Sequence, residues 1–180
     1  MADDLGFPEL DPRPDEEAWE AYLTFAAPIL GSDDALGLEN DQLIALEEEL
    51  GTQLPFEIGL LLVMGVPPTD GWWRWHSDAA ERLAAWNDLI GASLGVSADD
   101  LVAAPKLLPL FEDYAVPVEP ATGREATESN PILHLGDDGV TVAGLDLADW
   151  LHKQFDIPLP WWPENEPRTF PFWSEITPSP

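Results

Sequence analysis

The sequence predicts a single α+β domain, with helices packed against a mostly antiparallel sheet. Before residue 105, apolar side chains recur at steps of three and four, which is the helical period. After it, short apolar runs alternate with Pro, Gly, Asn and Asp, as is typical of antiparallel strands, and a last segment returns to the helical period. This order indicates an α+β domain, and 180 residues suffice for one domain with its own core.

The N-terminal segment divides into a lead-in and a first helix. Residues 1–14 are rich in proline and acidic residues and are predicted to be extended. Asp15 is predicted to cap the helix that follows, because Glu16 and Glu17 suit the positive end of a helix dipole. Pro28 is predicted to bend or end this helix. Its apolar stripe consists of Trp19, Tyr22, Leu23, Ala26 and Leu30.

Residues 43–65 predict two helices separated by a short break. Asp41 is the candidate cap of the first helix, and Gly51 ends it, because glycine accepts positive φ without a Cβ penalty. Pro55 starts the second helix, whose residues 56–64 are almost wholly apolar and are therefore expected in the core. The apolar face of the first helix consists of Leu43, Leu46 and Leu50, and Glu47, Glu48 and Glu49 lie largely opposite them.

The run 72–76 concentrates three tryptophans, Trp72, Trp73 and Trp75. A structural interpretation places them at the rim of the core, because tryptophan has a large apolar area and one N–H that needs a partner. A functional interpretation makes some of them a contact patch, since tryptophan is enriched among the residues that dominate protein interfaces. Both interpretations stay open, and the three residues are candidates for partner binding.

Residues 79–104 predict two further helices. Gly91 is expected to end the first, and Ser97 to cap the second, which stops before Pro105. Residues 91–95 fit the G-x-S-x-G pattern of hydrolase nucleophile elbows. That motif must follow a strand, whereas this copy follows a helix, so no catalytic serine is predicted.

Four strands are predicted next, at residues 106–111, 114–118, 132–135 and 140–143. Acidic turns join the first two and the last two, and they hold Glu112 and Asp113, and Asp137 and Asp138, respectively. These four residues are further candidates for partner binding. Asp146 is predicted to cap the closing helix, which completes the domain at residues 15–155.

Residues 156–180 contain prolines too frequent for a regular helix or a central strand. The same segment carries five large aromatic residues, which a solvated tail would not normally hold. We expect an extended arm packed on the domain. A docking segment for another protein is the alternative.

The formal charge of −28 results from 35 acidic and 7 basic residues. Such a surface repels nucleic acid, attracts basic partners and speeds their encounter. Adaptation to a salty cytoplasm explains the same acidity, and the sequence leaves both explanations open. The chain has no cysteine, no secretory signal and no apolar run near the roughly 20 residues of a membrane-spanning helix. We therefore expect a cytoplasmic protein without membrane contact.

No constellation for catalysis or metal binding stands out. His76, His134 and His152 lie far apart and lack the spacing of zinc ligands. P-loop and dinucleotide-binding motifs are missing. Catalytic residues, a cofactor and a bound metal are therefore not expected.

A helix with a glutamate, a Gly, a Leu-Pro pair, an apolar helix and a second Gly follow one another within residues 43–65. The positions are Glu47, Gly51, Leu54, Pro55 and Gly65. This pattern resembles the N-terminal signature of the SUKH superfamily, which includes fungal cell-wall assembly regulators and bacterial toxin-immunity proteins. One departure is a methionine at position 64, where the signature has asparagine.

The C-terminal half strengthens the resemblance. Residues that match the family pattern occur in order, at Leu108-Pro109-Leu110-Phe111, Tyr114, Pro117, Glu119, Pro120, Asn130-Pro131, Gly144, Asp146, Leu147, Asp149, Trp150 and Leu151. Glu112 and Asp113 stand where many relatives carry His-Arg, and the last strand pair is shorter and less aromatic than usual. The similarity spans residues 42–155.

The resemblance implies a single binding domain without enzymatic activity. It favours an immunity-type protein that neutralises a cognate toxin by occlusion, and the charge of −28 suits a basic toxin such as a nuclease. The fungal relatives imply an alternative, a cytoplasmic scaffold or regulatory module. An enzyme acting on small molecules is a third hypothesis, which requires a deep pocket with convergent polar groups of perturbed pKa.

Overall fold

The computed structural model describes residues 15–32, 35–75, 79–118, 129–136, 139–159, 161 and 172–173. Within them lie six helices and a four-stranded antiparallel sheet, which confirms the predicted α+β fold. The helices are α1 (Glu16–Leu30), α2 (Asn40–Leu50), α3 (Phe56–Met64), α4 (Ala79–Ser93), α5 (Ala98–Ala103) and α6 (Leu147–Phe155). The strands are β1 (Lys106–Phe111), β2 (Tyr114–Val118), β3 (Ile132–Gly136) and β4 (Gly139–Gly144).

The ends of α1 follow the local sequence. The Asp15 carboxylate accepts a hydrogen bond from the backbone N–H of Ala18 at 2.9 Å, as its predicted capping role requires. The helix continues two residues beyond Pro28, because a proline in the last turn removes only one hydrogen bond. It ends at Gly31, whose φ of 78° reverses the chain.

Two helix boundaries differ from the sequence prediction. The cap of α2 is Glu39, not Asp41, because the side chain of Gln42 accepts a hydrogen bond from the Glu39 N–H at 2.9 Å. Helix α4 continues past Gly91 to Ser93. Gly91 serves packing there, since an added Cβ would collide with the side chain of Leu101 in α5.

The α2–α3 connection is fixed by the helix ends and by one side chain. Gly51 ends α2 with a φ of 60°, and Pro55 precedes α3, as predicted. The Glu47 carboxylate accepts a hydrogen bond from the Leu54 N–H at 2.8 Å. Glu47 is thus half-buried and holds the loop, although its position opposite the leucines predicts a solvent-facing residue.

The sheet follows chain order, β1-β2-β3-β4, and all its pairs are antiparallel. The structure confirms all four predicted strands to within one residue at each end. Strands β1 and β2 are covered on both faces, so they appear in the sequence as nearly continuous apolar runs rather than as alternating ones.

The two faces of the sheet belong to two apolar clusters. The larger cluster joins one face to α1, α3 and α6, and its central side chains are Tyr22, Ile58, Leu108, Val116 and Trp150. The smaller cluster joins the other face to α4 and α5, and it includes Leu107, Ala115, Leu133 and Val140.

Three described residues of the C-terminal arm are buried against the domain: Ile157 and Trp161, and Trp173 twelve residues further along the chain. Ile157 is fully buried, and the ring of Trp161 packs edge-on against Trp19 with the centroids 4.9 Å apart. Trp173 lies in the smaller cluster, where its indole N–H donates to the Pro105 carbonyl. The rest of the arm and the lead-in of residues 1–14 lie outside the described residues.

Candidate interaction surface

Trp72, the first of the candidate tryptophans, is part of the core. Its side chain is 5% exposed, and its ring stacks on Phe155 with the centroids 5.6 Å apart and the planes inclined by 15°. The rings of Trp150 and Phe111 meet it edge-on at 5.9 and 5.5 Å. Trp72 also pairs with Phe111 through the backbone, so it extends the packing at the end of β1. Such burial favours the structural interpretation of this residue.

The other two tryptophans lie beside α4. Trp75 is 9% exposed and therefore offers little area to a partner. Trp73 is half-buried, and its ring contacts Trp86 with the centroids 6.1 Å apart. The guanidinium carbon of Arg82 lies 4.8 Å from the Trp73 centroid, a distance at which a cation–π interaction forms. Trp73 is the member of the cluster that retains a partly open surface.

The acidic turn between β1 and β2 is exposed. The side chains of Glu112 and Asp113 both face solvent. Their backbones are held by the fold, since the Glu112 N–H donates to the Gly71 carbonyl at 2.7 Å and the Asp113 carbonyl accepts from the Leu135 N–H at 2.8 Å. The other acidic candidates, Asp137 and Asp138, lie outside the described residues.

Exposed acids are frequent on the described helices. They occur in the first two turns of α1, along α2, in the first turn of α5 and just after α6, and they include Glu16, Glu17, Glu20, Asp41, Glu48, Asp99, Asp100 and Asp156. At physiological ionic strength, the field of an exposed charge extends about 8 Å before salt screens most of it. A basic molecule that approaches this surface is therefore attracted over much of it.

Several of the basic side chains serve the fold. Arg74 donates to the carbonyls of Pro67, Pro68 and Thr69 at 3.3, 2.6 and 3.2 Å, which closes the loop after α3. Arg82 donates to the Arg74 carbonyl at 3.1 Å. The Lys153 ammonium lies 2.7 Å from the carboxylate of Asp149, one turn earlier in α6. These three basic side chains bind backbone carbonyls or a carboxylate within the fold, and so they do little to neutralise the exposed acids.

One face of α2 and one face of α3 border an open groove of about 580 Å³. The apolar side chains that line it recur at steps of three and four, and they include Leu43, Phe56, Leu60 and Val63. Its polar lining comes from Glu16, Asn40, Glu47 and Gln53. The groove thus joins apolar side chains to two carboxylates contributed by different helices.

A second group of acids is buried. Burial raises the pKa of Glu57 to about 7, and the charge of Asp146 adds to this effect. Backbone N–H groups of Glu57 itself and of Asn130 oppose the rise. Burial likewise raises the pKa of Asp146, against hydrogen bonds from the Asp149 N–H and the Trp161 indole. Burial, and then the charge of Asp146, raise the pKa of Tyr22.

The sequence offers one signal for Glu57, an acid in the first turn of an apolar helix, and a helix-dipole interaction explains it equally well. Glu57 is therefore not among the residues that the sequence predicts to be functional. In the structure Glu57 is 3% exposed, so its carboxyl group has little contact with solvent. Within the described ranges, no group of three or more His, Cys, Asp or Glu side chains is arranged to hold a metal ion.

Comparisons with protein-family models, with curated proteins and with solved structures find no match to this chain. The structure also contains no helix, in the part of the chain it describes, that is long and apolar enough to cross a membrane.

Proposed function

We propose that this chain is a non-enzymatic protein-binding domain of the immunity type, which acts in the cytoplasm and neutralises a basic toxin by covering its functional surface. One observation carries the proposal: a formal charge of −28 is combined with exposed acids on three helices and the β1–β2 turn, while Arg74, Arg82 and Lys153 are engaged within the fold. The resemblance to the SUKH superfamily supports the same function.

Occlusion is the simplest mechanism for this molecule, because it requires a binding surface and no catalytic group. The buried acids are shielded from solvent, and the open groove is lined by apolar side chains and a few polar ones. This arrangement favours binding over chemistry. A basic toxin would be steered by the acidic surface and then held by apolar contacts that exclude water. Steering predicts that the association rate falls about tenfold or more when the ionic strength is raised from low to high salt.

The test is to look for a secreted toxin encoded beside the gene of this chain, and to co-express any such toxin with the chain. We expect survival of the cells and a complex that purifies with both chains. The loss of both protection and complex would overturn the proposal. A complex without protection would instead support the scaffold or regulatory module, which is the alternative function.

A further inference from the structure

We infer that the groove between α2 and α3 is the surface that receives the partner, and that its occupant is a basic amphipathic segment. This inference rests on the proposed function and specifies the site and the chemistry of binding. The segment presents aliphatic side chains to the apolar lining and Lys or Arg to the acidic edge. A volume of about 580 Å³ is within the range of roughly 300–1,000 Å³ common for binding pockets.

The apolar lining favours an aliphatic ligand. Leu43, Leu60 and Val63 are half-buried, so the fold covers only part of their surface. Each Å² of apolar surface that a partner covers contributes about 25 cal/mol before the costs of association are subtracted.

The acidic edge favours a cationic ligand. Glu16 lies at the start of α1, where Glu17 and Glu20 are exposed as well. Glu47 uses its Oε1 atom to accept from the Leu54 N–H, and its second oxygen can accept a further hydrogen bond. Long Lys and Arg side chains suit this geometry, because their stems cover apolar surface while their charged heads reach the carboxylates.

Charge also decides against other occupants of the groove. A second copy of the chain carries the same acidic edge and the same formal charge of −28. Nucleic acid and anionic lipid are repelled by this surface. A basic protein segment is therefore the class of ligand that complements both features of the groove.

The groove is formed before any partner arrives. Helices α2 and α3 pack against each other without a partner, and a Cβ at Gly59 would lie in ordinary van der Waals contact, 3.5 Å from the Cδ2 atom of Leu43. The Glu47 hydrogen bond and the positive φ of Gly51 fix the connecting loop. A preformed site spends little binding energy on ordering, which favours affinity.

The experiment measures binding of the full chain to synthetic helical peptides by calorimetry in low salt. The probe is a 14-residue amphipathic peptide of leucine and lysine, and the control peptide replaces every lysine with glutamate. Backbone amide chemical shifts locate the contact. We expect the leucine–lysine peptide to shift the amides of α2 and α3, and the leucine–glutamate peptide to show no binding.

Matched variants test the two features separately. Glu16→Lys is compared with Asp99→Lys, because both residues are exposed acids in the first turn of a helix. Leu60→Ala is compared with Leu89→Ala, which alters an exposed leucine of α4. We expect each groove variant to weaken binding about tenfold, which corresponds to about 1.4 kcal/mol, and each control to change it less than about twofold. Thermal unfolding of all four variants shows whether the fold is retained.

The outcomes separate this inference from the proposed function. Binding that is unaffected by Glu16→Lys and Leu60→Ala would overturn the groove as the site and leave the immunity function standing. Binding of the leucine–glutamate peptide with equal affinity, or no binding of either peptide, would also overturn the inference. A failure of the co-expression test alone would overturn the proposed function and not the presence of a basic-peptide site.

Discussion

Replacement of Glu57 by glutamine should remove a loss of stability that the wild type undergoes as the pH rises from about 5 to about 8. Glu57 has a pKa of about 7 in the fold, against an ordinary value of 4.5. Between these two values the folded chain binds more protons than the unfolded chain. The contribution of Glu57 to stability is therefore largest below pH 4.5 and is lost as the pH rises to and through 7, and Glu57→Gln removes this pH dependence.

The magnitude follows from the two pKa values. One unit corresponds to about 1.4 kcal/mol, so the difference between 4.5 and 7 is worth about 3 kcal/mol in full. Between pH 5.0 and pH 8.5, two-state linkage gives a loss of about 2–3 kcal/mol for the Glu57 carboxyl group alone. Glu57 is 3% exposed, so solvent screens this effect little.

The assay is urea unfolding followed by tryptophan fluorescence at both pH values. We expect the free energy of unfolding of the wild type to fall by about 2–3 kcal/mol more than that of Glu57→Gln over this interval. Glu48→Gln removes one exposed carboxyl group and controls for the change in net charge. Asp146, whose pKa is raised in the same direction, remains in both proteins. Equal pH dependence of wild type and Glu57→Gln would refute the reasoning.

Five further substitutions, at four positions, test the packing. Gly37→Ala should cost about 1–3 kcal/mol in urea unfolding, because its Cβ would collide with the carbonyl oxygen of Val63, whereas Gly59→Ala meets only ordinary contacts and should be neutral or stabilise by up to about 1 kcal/mol. Trp173→Ala should cost about 3–5 kcal/mol if the arm packs as observed, and unchanged thermal stability would contradict that packing. Glu47→Ala should cost about 0.5–1.5 kcal/mol, while Glu47→Gln, which keeps an acceptor for the loop, should cost less.

Local patterns sufficed for most elements of the fold. The strands were predictable to within one residue because their ends are marked by turn residues and their runs are apolar. Asp15 and Asp146 were predictable as caps because a capping bond involves residues only three apart. The cap of α2 was not predictable in this way, because Glu39 and Asp41 both stand near its start and only the bond between Glu39 and Gln42 distinguishes them.

Features that depend on contacts between distant residues could not be predicted. The tryptophans at 72–75 permitted two interpretations because the rings that cover Trp72 come from Phe111, Trp150 and Phe155, far along the chain. The environment of Glu57 is likewise set by Asn130 and Asp146. The helical and strand periods of a sequence carry no information about such contacts. The groove was predictable in part. The sequence shows that its apolar side chains share a helical face, but how far that face stays exposed depends on tertiary packing.

The segment that resembles the SUKH signature also forms the candidate groove. Three positions of this segment have structural roles that explain them. Gly51 ends α2, Pro55 starts α3, and Glu47 fixes the loop between them. In the structure, the same roles set how α2 lies against α3 and therefore how wide the groove is. A change in this turn would then alter stability and partner binding together, whereas Glu16 at the groove edge should affect binding alone. The comparison therefore distinguishes side chains that shape the groove from side chains that contact the partner.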